Sequence, residues 1–190
     1  MKRIAIFASG SGTNAANIIR YFKENQKAIT EVVICNNPNA AVINRARDLH
    51  TPSLLITRED LAENGKVGRM LERLKIDLVV LAGFLWLIPE SLINKFPNRI
   101  VNIHPALLPK YGGKNFYGSK VHDAVLKAGE KKSGITIHYV NTQYDEGKII
   151  FQAECDVDPG DTPETLAAKV HELEHKHYPV VIEQLLEKES

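Results

Sequence analysis

Short apolar runs alternate with longer amphipathic segments along the first half of the chain. The apolar runs are rich in Val, Ile and Leu at consecutive positions, which is typical of strands buried on both faces of a parallel sheet. The predicted strands are Ile4–Ala8, Glu31–Cys35, Ser53–Ile56, Leu78–Ala82 and Ile100–Ile103, and the predicted helices are Asn14–Asn25, Ala40–Leu49 and Leu61–Leu74. This alternation, with short connections, predicts an α/β fold built on a doubly wound, mostly parallel sheet.

The pattern changes in the second half, where a helix is predicted near Gly118–Ala128. Two strand-like runs follow, Gly134–Val140 and Lys148–Glu154, with seven residues between them. Because seven residues are too few for a parallel crossover, we predict an antiparallel hairpin.

A terminal helix is predicted after this hairpin, capped by Asp161 or Thr162 and with Pro163 in its first turn. We expect this helix to run to about His177 and to continue past Pro179 as a second segment. The length of 190 residues predicts one domain over residues 1–190.

Composition and charge exclude several functional classes. The formal charge of +1 gives no electrostatic reason to expect nucleic acid or an anionic membrane as a partner. No apolar stretch approaches the roughly 20 residues of a membrane span, and the run Ile4–Ala8 is too short for a signal peptide. The two cysteines do not suggest a disulfide framework. We therefore expect a soluble cytoplasmic protein with reduced thiols.

The most informative motif is Asn102-Ile103-His104-Pro105-Ala106-Leu107-Leu108-Pro109. Alternate residues of a strand face the same side, so Asn102 and His104 should point the same way at the end of a strand. The carboxyl ends of strands are where open α/β sheets bind their ligands. The two prolines should force a fixed turn. Further along, Asp145 lies in a loop, where an Asp taken alone is typical of a turn.

A glycine-rich turn, Ser9–Asn14, follows the first strand and begins the first helix. Such a turn lets backbone amides approach an anion at a helix N-terminus. The second strand ends in Cys35-Asn36-Asn37, without the acidic residue that a dinucleotide site needs. The turn therefore favours a single-phosphate site, and the alternative is a tight turn with no ligand.

Three further features have two interpretations each. The apolar loop Leu81–Pro89 is either one wall of a pocket for a flat organic ligand or a continuation of the core. His138, inside a strand, is equally a core histidine or a site residue. The segment His171–His175 matches H-E-x-x-H, the zinc-binding pattern of metallopeptidases. Only fifteen residues follow it, and a solvated helix face gives the same pattern.

Taken together, these motifs resemble the folate-dependent formyltransferases over nearly the whole chain. The resemblance rests on Ser9–Asn14, Leu81-Ala82-Gly83-Phe84, the Asn-x-His-Pro-x-Leu-Leu-Pro string, the downstream Asp145 and the terminal Glu174-His175…Tyr178-Pro179. It implies a Rossmann-like formyltransferase fold. It also implies transfer of a formyl group from 10-formyltetrahydrofolate, as co-substrate, to the amine of a phosphoribosyl glycinamide in purine synthesis. The glycine-rich turn and the terminal Glu174-His175…Tyr178-Pro179 point to the branch that uses this acceptor.

The resemblance also implies roles for individual residues. The catalytic residues would be Asn102, His104 and Asp145; the substrate would be bound by Gly12, Thr13, Asn14, His171 and Glu174; and the pterin would be bound by Leu85, Trp86, Leu87 and Ile88, with Asn102 also contacting the folate. An oxyanion formed by attack on the formyl carbon could be stabilised by Asn102 and a protonated His104. Asp145 would orient His104 and favour its protonated form. This chemistry requires no metal.

Several positions depart from the family pattern. Trp86 replaces an arginine common in the pocket loop, and His171 stands where other members often have a glutamine. The segment Gly112–Ser119 is longer than in short members. Arg58 is a candidate for the arginine that binds the folate tail, and the Leu108–Pro109 peptide is expected to be cis.

Alternative functions remain within and outside this family. Methionyl-tRNA formyltransferases and formyltetrahydrofolate hydrolases use the same three residue types, but each has an additional domain for which 190 residues leave no room. A non-catalytic phosphate- or folate-binding protein is a further alternative. The expected partners are small molecules, and the expected assembly is a monomer or a homodimer.

Overall fold

The computed structural model of the protein describes residues 1–114 and 116–188. Within them, seven strands form one sheet in the order β3-β2-β1-β4-β5-β6-β7. In chain order the elements are β1 (Lys2–Ala8), α1 (Thr13–Asn25), β2 (Ala28–Cys35), α2 (Ala41–Asp48), β3 (Ser53–Leu55), α3 (Arg58–Leu61), α4 (Lys66–Arg73), β4 (Leu78–Leu81), α5 (Glu90–Lys95), β5 (Ile100–His104), α6 (Ser119–Lys127), β6 (Lys132–Tyr139), β7 (Ile149–Asp156) and α7 (Pro163–Lys188). The long segment Gly112–Ser119 includes Asn115, which lies outside the described residues.

Strands β1 to β5 pair in parallel, and β6 and β7 add an antiparallel hairpin beside β5. Alternate residues of β1 enter two separate cores. Ile4 and Ile6 pack on the side of α1 and α7, whereas Ala5 and Phe7 pack on the side of α4 and α5. Burial on both faces explains the continuous apolar runs of the sequence. The predicted doubly wound sheet, its C-terminal hairpin and the terminal helix are confirmed.

The single helix predicted over Leu61–Leu74 is wrong. Two short helices, α3 and α4, replace it, and Gly65 lies at the N-cap of α4. A Cβ at Gly65 would lie 2.2 Å from the carbonyl oxygen of Asp60, so the chain turns back on itself where only glycine fits. The sequence interpretation also missed α5, whose six residues are too few for a clear helical period.

The terminal helix is continuous, so the predicted interruption at Pro179 is also wrong. Proline has no N–H for the carbonyl four residues earlier, which here belongs to His175. The side chain of Asn17 on α1 supplies the missing donor, with Nδ2 2.8 Å from that carbonyl oxygen. The N-terminal cap was predicted correctly, since Thr162 Oγ1 accepts a hydrogen bond from the N–H of Thr165.

Asn17 belongs to a row of donors by which α1 is attached to α7. Asn14 Nδ2 donates to Glu174 at 2.8 Å, and Tyr21 and Asn25 both donate to one oxygen of Glu183 at 2.6 and 2.8 Å. The donors lie three or four residues apart and so share one face of α1. No helix in the described part of the chain is both long enough and apolar enough to cross a membrane.

We expect Asn17→Ala to lower the free energy of unfolding by about 1–2 kcal/mol, because it leaves a helix carbonyl without a partner. The measurement is urea denaturation followed by circular dichroism. In a Pro179→Ala background the alanine N–H can reach the His175 carbonyl, so the same change should have a smaller effect. Equal effects in the two backgrounds would contradict this assignment.

Candidate active site

A cavity of about 670 Å³ opens at the carboxyl ends of β1, β4 and β5. The strand order reverses between β1 and β4, and such a point is where open α/β sheets bind ligands. The cavity walls are the turn 9–14, the loop 81–88, residues 102–105 at the end of β5, parts of 113–122 and 138–145, and one side of α7 from Pro163 to Glu174. The residues that the sequence assigns to catalysis, to the substrate and to the pterin all line this cavity, whereas Arg58, the candidate for the folate tail, does not.

Asn102 and His104 meet at one carboxylate, that of Asp145. Asn102 Nδ2 lies 3.4 Å from Asp145 Oδ1, and His104 Nδ1 lies 3.4 Å from Asp145 Oδ2. The two side chains were predicted to share a face of the strand, and their common contact agrees with that. The structure thus brings together the three residues proposed as catalytic.

The turn after β5 secures His104 from the other side of its ring. The Leu108–Pro109 peptide is cis, as expected. Thr136 of the neighbouring strand β6 holds this turn: its Oγ1 accepts from the Leu108 N–H at 3.0 Å and donates to the Ala106 carbonyl at 2.7 Å. The chain then returns so that His104 Nε2 lies 2.7 Å from the carbonyl oxygen of Tyr111. A carbonyl only accepts, so the proton of a neutral His104 lies on Nε2.

Asp145 reaches this position from the loop between β6 and β7. Its φ of 58° is in the left-handed region, which Asp tolerates better than most residues. Two residues further on, Gly147 packs against the backbone of β6. A Cβ at this position would lie 1.6 Å from the Tyr139 carbonyl oxygen, so no other residue fits. The N–H of Gly113 donates to Asp145 Oδ2 at 3.0 Å. The carboxylate is therefore held by two loops and by the end of β5.

The balance between burial and charge lowers the pKa of both His104 and Asp145. Burial lowers the pKa of His104, and the attraction of Asp145 and the Tyr111 carbonyl offset this only in part. Burial acts to raise the pKa of Asp145, but its contacts with His138 and His104 and the hydrogen bond from the Gly113 N–H bring it below its usual value. The expectation that Asp145 keeps His104 protonated is therefore opposed by burial. The pair is a carboxylate beside a neutral imidazole.

His138 is a site residue to which the sequence interpretation did not commit. It is 2% exposed and lies opposite Asn102 on the neighbouring strand. Its Nδ1 lies 2.8 Å from the Tyr139 carbonyl oxygen, so Nε2 is free to accept a hydrogen bond from Asn102 Nδ2, 3.2 Å away. Alternation along β6 gives no hint of this contact, because it depends on the register between β5 and β6.

The glycine-rich turn has the geometry of an anion site. Gly12 has a φ of 72° and lies at the N-cap of α1, where a Cβ would be 2.3 Å from Val42. The first N–H groups of a helix have no partner within it, and Thr13 and Asn14 of this turn line the cavity. The side chain of Asn14 donates to Glu174, so what Asn14 offers an anion is its backbone N–H.

The apolar loop after β4 is partly a wall of the cavity and partly a continuation of the core, so both interpretations made from the sequence apply. Leu85 and Leu87 are 52% and 41% exposed and line the cavity, while Ile88 is buried in the core. The backbone N–H of Leu85 donates to Ser9 Oγ at 2.9 Å and is not free for a ligand. The Arg58 guanidinium lies 4.6 Å from the centre of the Trp86 ring. The candidate for the folate tail is thus at the rim of this wall.

On α7, His171 Nδ1 lies 2.8 Å from Glu174 Oε2, so the H-E-x-x-H segment joins a histidine to a carboxylate of its own helix. Over residues 1–114 and 116–188, no group of three or more His, Cys, Asp and Glu side chains is arranged to hold a metal ion.

His122 on α6 is a second cavity residue that the sequence interpretation missed. It is 5% exposed, and its Nδ1 has no hydrogen-bond partner among the described residues. Burial lowers the pKa of His122, although the charge of Glu174 acts to raise it. The sequence gives no signal for this position, because a histidine in an amphipathic helix resembles a surface residue.

Comparison with known proteins gives one consistent result. The family model described as Formyl transferase matches residues 2–182. The phosphoribosylglycinamide formyltransferase of Bacillus subtilis is 39% identical over 98% of this chain and 95% of its own length. The crystal structure of phosphoribosylglycinamide formyltransferase from Bacillus halodurans superposes with a TM-score of 0.89 at 37% identity, covering 100% of this chain and 97% of that one. Glycinamide ribonucleotide transformylase 1 from Geobacillus kaustophilus gives 0.89 at 36%, covering 98% and 99%.

We expect His122→Phe to make the protein less sensitive to acid. In the wild type, the unfolded chain takes up a proton on this residue at about pH 6.5, whereas the buried ring resists it, so stability is lost as the pH falls through that range. The variant should reduce the slope of unfolding free energy against pH by up to about 1.4 kcal/mol per pH unit. Urea denaturation at pH 5 to 8 is the measurement.

His171→Phe is the matched control of opposite sign. The pKa of His171 is raised, so its contribution is present at low pH and is lost as the pH rises through the folded-state value. His171→Phe should change the dependence of the unfolding free energy on pH above about pH 6.5. Parallel profiles for wild type and His122→Phe would contradict the prediction.

Proposed function

The chain belongs to the formyl transferase family, and we propose that it transfers the formyl group of 10-formyltetrahydrofolate to the amine of 5-phosphoribosyl-glycinamide in purine biosynthesis. The observation that carries this proposal is the contact of Asn102, His104 and Asp145 in a cavity that lies between an anion-type turn and an apolar wall. This arrangement supports the proposal because a phosphate, a reacting amine and a flat ring system can each be assigned to a different wall.

The proposed substrate spans the cavity from α1 to β5. Its phosphate binds the backbone N–H groups of Gly12, Thr13 and Asn14 beside His171, and Glu174 binds the glycinamide end of the molecule. The amine then reaches Asp145. The pterin packs on the loop of Leu85, Trp86, Leu87 and Ile88.

In the proposed reaction, the amine nitrogen attacks the formyl carbon and the carbonyl oxygen becomes an oxyanion. The N–H of Asn102 that contacts Asp145 in the free site turns to the oxyanion and stabilises it, while the other N–H stays bonded to His138 and holds the amide in place. The neutral His104 accepts the proton that the amine loses, and Asp145 stabilises the imidazolium that forms. The bond between the formyl carbon and N10 of the folate then breaks, and N10 takes the proton.

Arg58 is the proposed partner of the carboxylates of the folate tail. Its guanidinium lies over the ring of Trp86, at the edge of the apolar wall, and such stacking restricts the side chain without neutralising its charge. Trp86 thus supports a cation where other members often have an arginine. The proposal places the reaction in the cytoplasm, with small molecules as partners and a monomer or homodimer as the active form.

The experiment that tests this function mixes purified protein with 10-formyl-dideazafolate and follows the released folate by absorbance, with and without glycinamide ribonucleotide. We expect turnover only when the ribonucleotide is present. Turnover without it would overturn the transferase proposal and favour a hydrolase. No turnover under either condition would indicate a non-catalytic binding protein.

Asp145→Asn should lower kcat by about 10²–10³-fold, because the amide cannot stabilise the imidazolium of His104. The matched control is Asp48→Asn, the same change at an exposed position at the end of α2. Circular dichroism should show the same fold for both variants. A rate near that of the wild type for Asp145→Asn would remove this residue from the catalytic group.

A further inference from the structure

One carboxylate oxygen connects α7 to the first turn of α1 at the phosphate end of the cavity. Glu174 Oε2 accepts from Asn14 Nδ2 at 2.8 Å and lies 2.8 Å from His171 Nδ1. The side chain of Glu174 is 12% exposed and that of His171 is 37% exposed. His171 lines the cavity together with Gly12 and Thr13. The shared oxygen therefore brings a partly exposed imidazole next to the N-terminus of α1.

The contact with Glu174 favours the charged form of this imidazole. A carboxylate only accepts hydrogen bonds, so Nδ1 of His171 carries a proton here, and a second proton on Nε2 makes the ring a cation. The hydrogen bond with Glu174 raises the pKa of His171, burial opposes this, and the charge of Glu174 raises it further. His104, which also faces a carboxylate, differs because its burial outweighs the attraction.

The neighbouring titratable groups do not compete for this role. On α7, the ring of His175 lies 4.0 Å from that of His171, but burial and the charge of His171 lower its pKa. Arg20 of α1 lowers it too. On α6, burial lowers the pKa of His122. His171 is thus the histidine of this group whose pKa is raised.

Three other groups near this part of the cavity carry charge. Arg45 of α2 contacts the glycine-rich turn, where its Nε donates to the Ser11 carbonyl at 2.9 Å. Glu164 lies on the same helix as His171, two turns before it, and lines the cavity. Lys114 is the one Lys or Arg among the described lining residues, and it lies on the loop that follows β5. Among the lining residues of α1 and α7, the side chain that can be a cation next to a phosphate at the N-terminus of α1 is that of His171.

We propose that His171 binds the substrate phosphate as an imidazolium, with Glu174 and Asn14 holding the ring, and that phosphate binding is therefore coupled to uptake of a proton. This inference rests on the proposed function, since it takes the phosphate monoester of that substrate as the ligand. A glutamine at this position would donate a hydrogen bond without charge, so the histidine makes the affinity depend on pH.

The coupling predicts a maximum of affinity near neutral pH. Below about pH 6 the phosphate becomes a monoanion and binds a cation less strongly. As the pH rises through the pKa of His171, the ring loses its charge, and the affinity falls by up to about tenfold per pH unit. A bound dianion favours the imidazolium further, so binding takes up protons in this range.

The test uses titration calorimetry with formylglycinamide ribonucleotide, whose formylated amine does not titrate. In two buffers of different ionisation enthalpy, the wild type should take up protons on binding, and its affinity should fall at least about fivefold from pH 7 to pH 8.5. His171→Gln should bind the ribonucleotide more weakly at pH 7. Its binding should take up no protons, and its affinity should not fall between pH 7 and pH 8.5. His177→Gln, the same change on the same helix outside the cavity, should match the wild type.

A second readout separates charge from packing. The imidazole resonances of His171, followed by NMR during a pH titration, should shift to a lower pKa in Glu174→Gln, because the group that raises it has been neutralised. The same pKa in both proteins would overturn the proposal.

The outcomes distinguish this inference from the function on which it rests. If the wild type does not bind formylglycinamide ribonucleotide at any pH, the proposed function fails. If the wild type binds it and His171→Gln shows the same proton uptake and the same pH profile, the function stands and the role of His171 is overturned.

Discussion

The active site depends on one buried charge, the carboxylate of Asp145. A buried carboxylate must be paired or hydrogen-bonded, and this one accepts from the backbone N–H of Gly113 and from Asn102 Nδ2. These partners come from the loop after β5 and from β5 itself, while Asp145 comes from the loop after β6. Its need for partners therefore determines how both loops close over the end of the strand.

The two ends of the cavity use the same pair of residue types with opposite shifts of the imidazole pKa. At one end the pKa of His104, almost fully buried, is lowered although Asp145 is beside it; at the other the pKa of His171, more than one-third exposed, is raised by Glu174. The difference lies in the deeper burial of His104 and in the hydrogen bond that joins His171 to Glu174. In the proposed reaction the neutral ring accepts the proton of an amine and the charged ring binds a phosphate, so the depth of each histidine suits its proposed role.

Most of the sheet could be predicted because a strand buried on both faces is apolar along its whole length. Asn102 and His104 could also be paired from the two-residue period of a strand. The contact of Asn102 with His138 could not, since it depends on how two strands align. Pro179 was misjudged for a similar reason: the donor that keeps the helix continuous, Asn17, lies far away in the sequence.

The row of donors on α1 has a consequence for the entropy of binding. Asn14 and Asn17 hold α7 within the part of the helix that contains His171 and Glu174, and Tyr21 and Asn25 hold it further along. Neither helix can slide past the other without breaking several of these bonds. The spacing between the glycine-rich turn and Glu174 is thus set when the chain folds, and the ligand meets a preorganised site that it does not have to order.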